Sequence, residues 1–332
     1  MKRKLLRITA LALAVIVLAG TTAYAMRPIN AENDQNAATN KRAPIARNLS
    51  LKTYRNIPIT GRFEAVDPEG KDLTFSIVSK PEKGTVTTFD DSTYFVYTPA
   101  ENKTGTDSFT YTATDPEGNV SEPATVTVEI SKPSTKVIYS DMRGNPAHYA
   151  AIRLAEAGIF TGEQIGSDYC FFPDATVSRG EFIAMIMKLL DTECSDAETV
   201  TAFADDEDIE PWLRPYVNAA IEAGILRSGS AKNPIRLVPD KAMTRAEAAV
   251  VINCALSLTD APGSDKILGS GNIPAWAYQA ALNVASCGIV EDASFCSNEP
   301  LTRAAAAEML LGALNILEQR YARTGGLLSW AR

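Results

Sequence analysis

Ser178-Arg179-Gly180-Glu181, Thr244-Arg245-Ala246-Glu247 and Thr302-Arg303-Ala304-Ala305 are three versions of one tetrapeptide. Ser or Thr three residues ahead of Glu is a capping box. The hydroxyl accepts from the third helical N–H, and the Glu reaches back to the N–H of the cap. Each tetrapeptide therefore predicts a helix start, capped by Ser178, Thr244 and Thr302. Glu181 and Glu247 complete the first two boxes, and Ala305 leaves the third half made. Upstream of each stands Gly158-Ile159, Gly224-Ile225 or Gly288-Ile289, and Gly is the usual helix stop. The interval from that Gly to the cap is 20 positions in the first two units and 14 in the third. Phe172-Pro173-Asp174 and Val238-Pro239-Asp240 mark the loops between. Tyr139-Ser140-Asp141 and Phe203-Ala204-Asp205 open the first two units, and Gly269 stands in the matching place of the third. Trp212 and Trp276, each three residues after an Ile, lie 64 positions apart. The pattern is a threefold helical repeat over 137–197, 202–260 and 265–318, followed by a tail at 319–332.

The repeated Arg needs a separate reason. It falls at the first helical position, where the dipole makes a cation mildly unfavourable. Helix stability therefore does not explain Arg179, Arg245 and Arg303. Set beside the unpaired backbone N–H groups of a helix start, they predict an anion site.

This block resembles three S-layer homology (SLH) repeats, over about 180 residues. The resemblance implies a compact, three-pronged, all-α domain that holds exported proteins to the bacterial cell wall. It also implies grooves for secondary cell-wall polysaccharide bearing ketal-linked pyruvate. Carried over, Arg179, Arg245 and Arg303 would face the pyruvate carboxylate. Trp212 and Trp276 would wall the sugar or the ketal methyl, the alternative being core packing. Asp141 and Asp205 would take sugar hydroxyls or fix the groove. Departures are Pro146 in the Trp slot of the first unit, Gly180 for Ala, and Ala305 for Glu. The second unit is the most complete, so Arg245 and Trp212 are expected to form the dominant site.

Between Pro44 and Ser131 the apolar period is two. Phe109, Tyr111 and Ala113 alternate with Thr110, Thr112 and Thr114. Ala124, Val126, Val128 and Ile130 alternate with Thr125, Thr127 and Glu129. Strands place those sets on opposite faces. Asp67-Pro68-Glu69-Gly70 and Asp115-Pro116-Glu117-Gly118 suit type I turns. The pattern predicts an all-β immunoglobulin-like sandwich over 44–131. It resembles the bacterial Ig-like and cadherin-like modules of surface proteins. Some of those bind calcium, for which Asp67, Asp72 and Asp115, with Glu69, Glu117 and Asn119, offer hard oxygens. The simpler alternative is that each Asp caps its own turn, and no cofactor is expected.

Residues 1–25 read as a secretory signal peptide. Lys2, Arg3, Lys4 and Arg7 precede an apolar run from Ile8 to Leu18, and Ala23-Tyr24-Ala25 suits cleavage. Residues 26–43 read as a spacer and Ser131–Lys136 as a linker. The run is short for a membrane crossing of ~30 Å, and no later stretch approaches the roughly 18 apolar residues a crossing needs. Cleavage would leave 28 basic against 40 acidic side chains, a charge of −12. Such a chain opposes nucleic-acid binding, and its single His148 excludes two-His zinc centres. Five Cys leave at least one unpaired. Cys287 and Cys296 bracket a short loop and are a candidate disulfide, as are Cys170 and Cys194. Cys254, on an apolar stripe, is expected to be a buried free thiol. Signal, sandwich and repeats leave no stretch for a catalytic domain. The expected function is a non-enzymatic, wall-anchored surface protein. The alternative is an adhesin whose sandwich binds a protein or carbohydrate of unknown identity.

Overall fold

The structure, a computed structural model, describes residues 43–90, 92–194, 200–229, 233, 235–261, 273–292 and 295–324. The expected signal peptide, the spacer as far as Arg42, and Gly269 lie outside the described residues.

Residues 45–131 form nine short strands: β1 Ile45–Ala46, β2 Leu49–Tyr54, β3 Ile59–Arg62, β4 Ala65–Val66, β5 Thr74–Ser79, β6 Gly84–Thr88, β7 Tyr94–Pro99, β8 Gly105–Thr114 and β9 Ala124–Ser131. One sheet has the order β2-β9-β8-β5, the other β3-β7-β6, and β1 pairs with β4. β2 runs parallel to β9, Leu49 opposite Val126, and the remaining pairs are antiparallel. The alternation works as expected. Phe109, Tyr111, Val126, Val128 and Ile130 are buried, and they pack on Phe95 and Tyr97 of the other sheet. Phe63 lies at the centre, with ring centroids 4.5 Å from Phe95 and 4.6 Å from Tyr111.

The three calcium candidates do not assemble. Asp67 Oδ1 accepts from the N–H groups of Glu69 and Lys71, and Asp115 Oδ1 from those of Glu117 and Asn119, so each caps its own turn. The Lys71 ammonium pairs with both Glu69 and Glu117, linking the two turns. Among the described residues no group of three or more carboxylates, thiols or imidazoles is arranged to hold a metal.

From Val137 onward the chain is helical: α1 His148–Glu156, α2 Arg179–Leu189, α3 Arg214–Glu222, α4 Arg245–Leu256, α5 Tyr278–Ser286 and α6 Arg303–Thr324. None of the described helices is long and apolar enough to cross a membrane. The all-α expectation needs one correction. β10 Glu163–Ile165 and β11 Asp168–Cys170 form an antiparallel hairpin inside the first loop, turning at Gly166 (φ 63°). Three residues per strand are too few to show a period in the sequence. The tail also starts later than expected. α6 runs through 319–324, held where Arg320 Nη1 donates to the Leu256 carbonyl at 2.6 Å.

α1, α3 and α5 end as the Gly-Ile pairs predict. Gly158, Gly224 and Gly288 are left-handed (φ 67°, 72° and 71°). Ile159, Ile225 and Ile289 then donate back to Leu154, Ala220 and Val284, the Schellman closure. The expected linker is not slack. Ser134 donates through N (2.5 Å) and Oγ (2.9 Å) to Glu156, which also accepts from the Tyr54 hydroxyl. Tyr54 and Ile57 of the sandwich are buried in the helical core, and the Tyr54 and Tyr149 ring centroids are 5.3 Å apart.

Candidate functional site

The starts of α2, α4 and α6 meet in one place. Val177 N–H donates to Leu301 O, Leu301 N–H to Met243 O, and Met243 N–H to Val177 O, at 3.0, 2.7 and 2.8 Å. This closed ring joins the residues preceding the three caps. Ser178 and Thr244 make complete capping boxes with Glu181 and Glu247. Thr302 makes half of one, accepting from the Ala305 N–H at 3.3 Å.

The ring overturns one expectation. The first helical N–H groups are not free for an anion. Arg179 and Gly180 donate to Lys241 and Pro239, Arg245 and Ala246 to Glu299 and Ser297, and Arg303 and Ala304 to Ala175 and Pro173. Each helix start is thus satisfied by the loop of another unit, in cyclic order. With two N–H groups used this way and the third by the cap, the dipole end is closed to a ligand.

The arginine side chains follow the same cycle. Arg179 pairs with Glu247 and donates to the Leu237 carbonyl at 3.1 Å. Burial alone would raise the Glu247 carboxyl. The Arg179 guanidinium and the Thr244 N–H hold it below its ordinary value instead. Arg245 meets Glu299 at 3.0 Å and lies 4.5 Å over the Phe295 ring. Arg303 is only 8% exposed. Its Nε donates to the Phe171 carbonyl at 2.6 Å, and its guanidinium lies 4.7 Å from the Phe160 ring and 5.5 Å from Phe171. The half-made cap therefore does not loosen Arg303, which is the most buried of the three.

The opening aspartates fix loops. Asp205, buried, accepts from the N–H groups of Leu237 (2.8 Å) and Val238 (2.7 Å). Asp141 does the same for Phe171 and Phe172. Val238 and Phe172 have φ of 52° and 54°, left-handed values that bulky side chains rarely adopt, so each Asp holds a strained turn beside the site.

Trp212 and Trp276 are not core residues, being 49% and 60% exposed. They serve different cavities. Trp212, whose indole N–H donates to Glu210, lines one of about 170 Å³ with Ser178, Glu181, Asp208 and Asp240. This cavity is acidic. Trp276 lines a groove of about 260 Å³ with Arg179, Glu247, Arg227 and Arg236 over an apolar floor that includes Ile225 and Val250. Arg245 lines neither cavity, so the expected partnership of Arg245 with Trp212 does not form. Arg227 and Arg236 were absent from the sequence reading because they repeat in no other unit. Gly180 has a packing reason: a Cβ there would lie 2.5 Å from Leu213 Cδ2.

The cysteine expectations also change. Cys287 is exposed at the end of α5 while Cys296 is buried in the core, and all five thiols are free. Burial pushes the Cys296 thiol up to about 12. Cys254 is exposed on α4 rather than buried.

Comparison with known proteins follows this geometry. The model for the bacterial Ig domain matches residues 40–129, and that for the S-layer homology domain matches residues 202–249, which contain Asp205, Trp212, Thr244 and Arg245. The chain carries a bacterial Ig domain and an SLH domain. Within the SLH match lie Arg227 and Arg236 of the basic groove. Among relatives, the "Surface-layer 125 kDa protein" of Lysinibacillus sphaericus is 28% identical over 133 residues, 40% of this chain and 11% of that one. "Exoglucanase XynX" of Acetivibrio thermocellus is 28% identical over 186 residues, 54% of this chain and 16% of that one. The chain thus spans a small part of the length of both. A solved mutant of the SrpA adhesin from Streptococcus sanguinis aligns at 19% identity and TM-score 0.24, over 39% of this chain and 84% of that one. The SLH match and the surface-layer relative put this protein at the cell surface, anchored through its SLH region.

Proposed function

We propose that the protein is a non-catalytic exported component of the cell wall. Three SLH repeats, at 137–197, 202–260 and 265–318, hold it without covalent bonds to an anionic, pyruvylated secondary cell-wall polysaccharide. The Ig-like module at 44–131 is displayed outward. The observation that carries this reading is the basic, Trp-walled groove within an otherwise acidic chain of net charge −8. Long-range attraction to an acidic polymer is absent, so binding relies on short-range contacts. In this reading Trp276 and Arg179 face the groove. Arg245, Arg303, Asp141 and Asp205 hold the loops that shape the binding surface, and Trp212 walls a separate, acidic cavity.

Titration calorimetry of the full chain with polysaccharide released from purified walls tests this. Saturable binding that weakens when the polymer carboxylates are reduced to alcohols is the expected result. Binding indifferent to that reduction would contradict an anionic ligand.

A further inference from the structure

The basic groove raises the question of which cation meets the ligand. Arg179 is committed internally, its guanidinium shared between Glu247 and the Leu237 carbonyl. Arg236 pairs with Asp208 at 3.2 Å and stands 4.0 Å from Asp205. Arg227 differs. It lines the same groove, is exposed, and makes no hydrogen bond or ion pair among the described residues. Its backbone is well placed for a recognition role. It directly follows Ile225 and Leu226, whose N–H groups both donate to the Ala220 carbonyl (2.9 and 3.0 Å). The helix stop of α3 therefore sets the position of Arg227, and only its side chain needs ordering on binding.

We propose that Arg227 is the specificity-determining cation of this groove. It pairs with the carboxylate of an acidic glycan whose adjoining apolar face lies on Trp276 and the Ile225–Val250 floor. This deepens the anchoring reading and rests on it. The chemistry follows from the partners. A guanidinium offers a planar fork that matches a carboxylate, and an exposed indole offers a flat apolar surface. The Trp212 cavity, lined by Glu181, Asp208, Glu210 and Asp240, repels the same ligand.

The test uses the full chain and purified wall polysaccharide. Dissociation constants are measured at low and high salt for the wild type, Arg227→Ala, Arg227→Lys, and Arg62→Ala on the sandwich. Circular dichroism verifies the fold of each. The proposal expects Arg227→Ala to weaken binding about tenfold and to flatten its salt dependence. Arg227→Lys keeps the salt dependence with part of the affinity, and Arg62→Ala matches the wild type. With carboxylate-reduced polymer, wild type and Arg227→Ala bind alike. Wild-type binding with no change in Arg227→Ala overturns the proposal and leaves the anchoring reading standing. A tenfold loss that persists on the reduced polymer also overturns it, because the contact is then not with the acidic group. No wild-type binding at all brings down the anchoring reading, and the proposal with it.

Discussion

Arg303→Ala is expected to destabilise the helical region by about 3 kcal/mol, the largest effect of any single motif arginine. The substitution removes a charge-assisted hydrogen bond and leaves the buried Phe171 carbonyl without its partner, which costs about 1–3 kcal/mol. It also removes the guanidinium from the paired Phe160 and Phe171 rings, where the desolvated cation–π contacts contribute up to about 2 kcal/mol. For a unit of this size the midpoint of thermal unfolding should fall by about 6–12 °C. Arg245→Ala should cost about 1 kcal/mol, because its partner Glu299 is exposed and regains water. Differential scanning calorimetry of both variants checks the ranking. Equal losses would mean that the cyclic closure through Arg303 contributes little.

Asp205→Ala comes next. The buried carboxylate is the acceptor for two loop N–H groups, Leu237 and Val238. Removing it leaves both donors unpaired and releases the left-handed turn at Val238. The expected cost is about 2–4 kcal/mol. Asp205→Asn keeps one carbonyl acceptor and should recover about half of that. Hydrogen exchange is the discriminating readout, with the Leu237 and Val238 amides losing protection before the helix amides. Leu237 and Arg236 line the basic groove, so the same change should weaken polymer binding. Undisturbed exchange at those amides would show that the loop holds itself.

What the sequence disclosed was local. The capping boxes at Ser178 and Thr244, the Gly-Ile helix stops and the alternation in β8 and β9 each fall within a few residues, and each was readable. The pairing of the units was not. Arg303 meets Phe171 from 132 positions away and Arg179 meets Glu247 from 68, and no pattern within a window records such contacts. The same limit explains the anion expectation. A helix start looks open when read alone, and its N–H groups are closed only by loops from another unit. Burial was misjudged at Cys254 because periodicity gives a helix its apolar stripe without saying which neighbour covers it. Arg227 was invisible for a different reason. Repetition draws attention to what the units share, whereas a residue that selects a ligand can belong to one unit alone.

Anchoring of this chain to an acidic wall polymer is proposed to reside in the helical region. Cosedimentation of the full chain with purified walls, intact and stripped of their secondary polysaccharide, tests it most directly. The protein is expected to pellet with intact walls and to stay in the supernatant with stripped ones. Equal pelleting with both would contradict it.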